Sequence, residues 1–196
     1  MTMDSIHSTE ATSARSRQGA FLTIVIALIG TLGSLFLSLG LGLKACPLCF
    51  YQRSFVMAAL FIAAFGRWAE THRPGLVCWL VMPLTWAGLG VAAFHERLVM
   101  NGVLECPTAF FGLGTAPAQS LVLFGLLTTS ATIGAWLGRH ELSANGGFKL
   151  LSAIVAGGAM AWACVASAPP LPPTPKQPYD PVKQPLDMCR PPFPGG

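Results

Sequence analysis

The residues best suited to chemistry in this chain are Cys46 and Cys49, in the stretch Lys44-Ala45-Cys46-Pro47-Leu48-Cys49-Phe50-Tyr51-Gln52-Arg53. Two thiols separated by two residues can close a small disulfide ring. At the start of a helix, unpaired N–H groups and the helix dipole lower a thiol's pKa. The pair therefore reads as redox-active, opening and closing in use. Arg53 follows inside an apolar run, where a cation is costly enough to imply function and an anionic or strongly polar partner. The rival chemistry is metal binding, because Cys-X-X-Cys also supplies two ligands for zinc or copper. No His-rich stretch or second closely spaced Cys pair accompanies it, so further ligands would have to come from distant loops, and no metal is expected.

Placing the other cysteines requires the elements that carry them. Of the 196 residues, 53% are hydrophobic and 10% charged, which excludes an ordinary soluble domain and reads as an all-helical membrane protein. The net charge of +4 forms no continuous basic face, so nucleic-acid binding finds no support. About 20 apolar helical residues cross a bilayer. Such runs lie at 20–43, 48–66, 74–94, about 120–138 and about 150–168, a bundle of five transmembrane helices.

Residues 20–43 exceed the apolar core of a secretory signal, about 7 to 15 residues, and so read as a first span rather than a cleaved leader. Residues 1–19, polar and rich in Ser and Thr, read as a disordered cytoplasmic lead. Pro107, Gly112, Gly114 and Pro117 disfavour helix over 107–119, leaving Phe110 and Phe111 along the outer interface. Prolines crowd the end of the chain, so 169–196 reads as an extended, exposed tail. The expected organisation is a lead at 1–19, a transmembrane redox domain at 20–168 and a Pro-rich periplasmic tail at 169–196.

Arg15 and Arg17, Arg67 and Arg73, and Arg139 and Lys149 fall on one side of such a bundle, the cytoplasmic side by the positive-inside bias. Cys46, Cys49, Cys106 and Cys189 then share the opposite, oxidising side. Cys78 and Cys164, within apolar sequence, read as packing residues. His95 and Glu96 read as the polar end of the third span and stay outside the catalytic set.

The run Cys46-Pro47-Leu48-Cys49-Phe50-Tyr51-Gln52-Arg53 after a first span resembles the Cys-X-X-Cys-apolar-Tyr-X-Arg signature of the DsbB family, thiol:quinone oxidoreductases of the bacterial inner membrane. The likeness is specific over the first two helices and covers the general plan of the next two. It implies that the pair passes electrons to ubiquinone or menaquinone, with Cys49 as the thiolate beside the quinone, Cys46 its exchange partner and Arg53 the quinone-proximal cation. It also implies a periplasmic partner, a thioredoxin-fold oxidase of DsbA type, reoxidised by a disulfide on an outer loop.

The chain departs from that pattern in one respect. Family members with four helices commonly carry both loop cysteines between the third and fourth helices, whereas this loop has Cys106 alone. Topology offers Cys189, on the tail beyond an extra fifth helix, as the replacement, with Cys164 as its rival. Arg190 should favour a thiolate at Cys189 and Glu105 disfavour one at Cys106, making Cys189 the better leaving group. Two other readings stay open: a vitamin K epoxide reductase-like enzyme, which usually places its motif late in the bundle, and a non-enzymatic metal chaperone or assembly subunit using Cys46 and Cys49 as ligands.

Overall fold

A computed structural model describes residues 3–70, 72–142, 146–170, 173–175, 177–180 and 182–193, with side chains from residue 14 onward except at 142 and 146. Five helices follow one another: α1 (Met3–Leu39), α2 (Pro47–Ala69), α3 (Pro74–Met100), α4 (Ala116–Leu137) and α5 (Gly146–Ala166). Each is long and apolar enough to cross a membrane, and no strand occurs among the described residues. The protein is thus an all-helical, multi-pass membrane protein. Large apolar side chains such as Phe21, Ile29, Phe61, Ile133 and Trp162 point outward from the bundle, as lipid contact requires.

Local chemistry sets the helix starts. Pro47 and Pro74 occupy first turns, where a missing N–H costs nothing. Thr115 caps α4 by accepting the Ala118 N–H at 3.3 Å, which starts that helix at Ala116 rather than near Ser120. At the far end of the bundle, the Glu141 carboxylate accepts the Gly75 N–H at 2.8 Å and so caps α3.

α3 is the hub and packs against all four other helices. Its buried face runs through Val81, Gly88, Val91, Ala92 and His95. The Thr128 hydroxyl donates to the Thr85 carbonyl at 3.0 Å, tying α4 to α3 with a bond well made where no water competes. α5 lies on α3 beside Pro83, and close approach there depends on Gly157. A Cβ at that position would sit 2.6 Å from the Trp86 Cβ and 2.8 Å from the Pro83 carbonyl oxygen. The neighbouring Gly158 instead faces open space.

Three expectations need correction. α1 extends back to Met3 through residues read as a disordered lead. Nothing between residues 3 and 18 breaks a helix, and Ser16 is buried, donating to the Gly134 carbonyl at 3.2 Å. α3 continues past Phe94 to Met100, because His95 turns inward with the buried face instead of ending the span. The tail makes no helix or strand among its described residues, but it is not simply exposed: Cys189 and Pro191 are buried. Phe110 and Phe111 divide the interface role, the first stacking on Phe36 with centroids 5.8 Å apart and the second almost fully exposed.

Candidate redox site

Cys46 is the N-cap of α2, in extended conformation (φ −69°, ψ 163°), and its sulfur accepts the Cys49 N–H at 3.2 Å. Cys49 therefore stands in the first turn of α2, with both sulfurs at one end of the bundle. The last turns of α3 reach the same end. His95 there is fully buried, its Nε2 3.9 Å from the Cys46 sulfur and 3.7 Å from the Cys106 sulfur. Its Nδ1 lies 3.4 Å from the Gln52 amide, whose oxygen accepts the Ser120 hydroxyl at 2.6 Å. α2, α3 and α4 thus hold one ring between two cysteines.

The structure joins Cys106 to Cys189 in a disulfide across 83 residues, with Cα atoms 4.1 Å apart, and leaves Cys46, Cys49, Cys78 and Cys164 free. The tail returns to the α3–α4 loop by specific pairing. Glu105 and Arg190 exchange backbone hydrogen bonds of 2.8 and 3.0 Å, and their side chains form an ion pair at 2.6 Å. The Arg190 guanidinium also lies over the Tyr179 ring, 3.6 Å from its centroid. Lys44 adds a second anchor, with its backbone N–H donating to the Asp187 carbonyl and its ammonium 2.8 Å from the Asp187 carboxylate. The charged neighbours of the two cysteines, Arg190 and Glu105, are thus paired with each other.

The Cys46, Cys49 and Cys189 sulfurs and a His95 ring nitrogen all lie within 4.8 Å of one another. A dithiol and a disulfide are thus packed side by side, close enough for thiol–disulfide exchange with little backbone movement. A hydrogen bond from the Cys49 thiol lowers the Cys46 thiol's pKa despite burial, and His95 adds to the lowering. The lowering therefore falls on the sulfur that faces His95.

Cys49 also reaches a second environment. With Gln52 and Arg53 it lines a cavity of about 730 Å³ between α1, α2 and the segment leading into α4, whose other walls are mainly apolar, Phe110 and Leu123 among them. The Arg53 Nε donates to the Ser34 hydroxyl at 2.8 Å, and its Nη2 donates to the Ser34 carbonyl at 3.1 Å and to the Ser38 hydroxyl. Arg53 thus finds the polar partners its depth demanded, while Nη1 keeps no partner among the described residues. Cys78 is buried near the other end, its sulfur filling the notch left by Gly134. Cys164 is half-buried and unpaired.

Sequence reasoning set His95 aside, yet it sits at the centre of the cluster. The usable signal was helical spacing: Gly88, Val91, Ala92 and His95 continue one face, whereas Glu96 and Arg97 leave it. Ser34 and Ser38, four residues apart in an apolar span, were likewise legible as one polar face.

Fold and site together define a multi-pass membrane protein that packs a dithiol beside a disulfide at one end of its bundle. The chain matches the family of disulfide bond formation protein DsbB over residues 16–149, and it belongs to that family. It is 35% identical over 114 residues to a probable disulfide formation protein of Metapseudomonas resinovorans, covering 56% of this chain and 75% of the relative. A probable disulfide formation protein of Deinococcus radiodurans is 28% identical over 128 residues, covering 55% of this chain and 82% of that protein. No solved structure matches the chain. The family match ends where α5 begins, so the helix and tail that deliver Cys189 lie outside it.

Proposed function

We propose that this protein oxidises the dithiol of a thioredoxin-fold oxidase of DsbA type outside the cytoplasm and passes the electrons to a membrane quinone, ubiquinone or menaquinone. The observation that carries this reading is the division of labour within the Cys pair. Cys46 faces His95 and the Cys106–Cys189 disulfide, while Cys49 lines the apolar cavity beside Arg53. The basic end of the bundle, with Arg67, Arg73 and Arg139, would face the cytoplasm and the cysteine end the periplasm of a bacterial inner membrane.

The cavity suits such an acceptor, with mainly apolar walls for a ring and isoprenoid chain and two cations, Lys44 and Arg53, in its lining. A quinone supplies a sink for two electrons and two protons. The chain's residues do the rest. A partner thiolate attacks Cys106 and expels Cys189. A second partner thiolate then resolves the mixed disulfide, leaving Cys106 and Cys189 reduced. Exchange with an oxidised Cys46–Cys49 pair restores the Cys106–Cys189 disulfide and moves both electrons onto Cys46 and Cys49. Cys49 delivers them to the cavity as the Cys46–Cys49 bond closes, and the two thiol protons depart. His95, within reach of Cys46 and Cys106, can carry a proton between the exchanging sulfurs. The Arg53 guanidinium, in the cavity wall, can stabilise negative charge developing at the acceptor.

The test is quinol formation by the purified protein in quinone-containing vesicles, with a reduced thioredoxin-fold dithiol as donor. One quinol per partner disulfide supports the reading. Partner oxidation that proceeds without quinone consumption overturns it.

A further inference from the structure

The four-ligand cluster carries more than exchange chemistry. We infer that, once Cys106–Cys189 is reduced, Cys46, Cys49, Cys189 and His95 form a tetrahedral site for one zinc-class ion, and that its occupancy locks the protein in the reduced state. A Cys3His donor set is a standard environment for Zn2+, with Zn–S near 2.3 Å and ligand atoms therefore about 3.8 Å apart. The four donor atoms already lie within 4.8 Å of one another, so a contraction of about 1 Å completes the polyhedron. Three of the residues are buried and Cys49 is partly so, and water competes little with protein ligands there.

Two features prepare the site independently of the disulfide. Cys189 is held beside the cluster by the backbone pairing of Arg190 with Glu105 and by their ion pair, none of which needs the sulfur bond. The Cys49 N–H already donates to the Cys46 sulfur at 3.2 Å, an arrangement that stabilises anionic sulfur whether it faces a proton or a metal.

The balance is simple. A dithiol donor reduces Cys106–Cys189 with two electrons and two protons, giving two thiols. The ion then displaces one proton from each of Cys46, Cys49 and Cys189, and no electron moves. Neither disulfide can form through those sulfurs until the ion leaves, so metal and oxidation exclude each other. The sequence hid this set because its ligands come from the α2 start, the α3 end and the distant tail. The inference needs only the thiol cluster and stands apart from the identity of the electron acceptor.

The experiment is anaerobic titration of the full chain in detergent, reduced with a phosphine and freed of excess, using Co2+ as the spectroscopic probe and Zn2+ as competitor. Expected are one Co2+ per chain with thiolate charge-transfer and tetrahedral ligand-field bands, displaced by one Zn2+. The oxidised protein should bind at least about 100-fold more weakly, as should Cys189→Ser and His95→Ala, since losing even a supporting contact costs about 10- to 100-fold. Cys106→Ser, which frees Cys189 without breaking a disulfide, should retain the site, and Cys78→Ser should leave it unchanged. Equal affinity in the oxidised and reduced chains, or full binding by both Cys189→Ser and His95→Ala, would overturn the inference while leaving the quinone assay untouched.

Discussion

His95 and Cys46 face each other across 3.9 Å at the buried junction of α3 and α2, and the same imidazole nitrogen lies 3.7 Å from Cys106. One titratable ring thus touches a sulfur of each redox pair. The Cys46 thiol is lowered mainly by its hydrogen bond from Cys49, with His95 contributing. A depressed thiol pKa keeps the thiolate populated as pH falls below the ordinary range. In a Cys106→Ser, Cys189→Ser background, thiolate ultraviolet absorbance of the reduced protein should therefore persist well into neutral and mildly acidic pH. His95→Ala should move that titration upward. An unchanged midpoint in the alanine variant refutes the coupling.

The two buried ends of the bundle assign opposite roles to their thiols. Cys49 lines the cavity, whereas Cys78 fills a notch against Gly134. Cys49→Ser should reduce quinol formation to background. Cys78→Ser should keep most of the activity and cost on the order of 1 kcal/mol of stability from the changed buried group. Initial rates at equal membrane protein levels decide this, and equal losses at both positions contradict the division.

Much of this was legible in the sequence for a physical reason. Long apolar runs and Cys46-Pro47-Leu48-Cys49 are local signals, so the bundle, the helix start at Pro47 and the membrane placement of Arg53 could be read directly. His95 was not, because a histidine followed by Glu96 and Arg97 looks like a span's polar end until the bundle shows which face is buried. The tail was misjudged similarly. Proline content predicts its extended backbone, yet the burial of Cys189 depends on Glu105, Arg190, Lys44 and Asp187, pairings that no sequence spacing encodes.

Arg53 is held by Ser34 and Ser38 of α1 while it lines the cavity. Arg53→Met should raise the apparent KM for quinone about tenfold or more and lower turnover, equivalent to at least about 1.4 kcal/mol. Arg53→Lys should recover part of this, since a point charge replaces a planar fork. Ser34→Ala should give a smaller defect of the same kind, because it loosens the guanidinium without removing it. Quinone titrations with wild-type affinity and turnover for Arg53→Met would remove the cation from the site.

The tail prediction separates a relay from a tether. Cys189 reaches the cluster on a segment anchored at Glu105–Arg190 and Lys44–Asp187, beyond a fifth helix that the family match does not include. If Cys189 is half of the disulfide offered to the partner, truncation before Pro170 should abolish oxidation of a thioredoxin-fold dithiol. It should leave intact quinone reduction driven by a small dithiol, which can enter the opened site and reduce Cys46–Cys49 directly. Glu105→Ala removes one ion pair, partly exposed and worth up to about 1 kcal/mol, while the backbone pairing remains. It should therefore slow partner oxidation only severalfold. Normal partner oxidation by the truncated chain would exclude Cys189 from the relay and leave Cys164 as the cysteine to test. Loss of both activities together would instead show that the tail holds the bundle end in shape, as a permanent tether does.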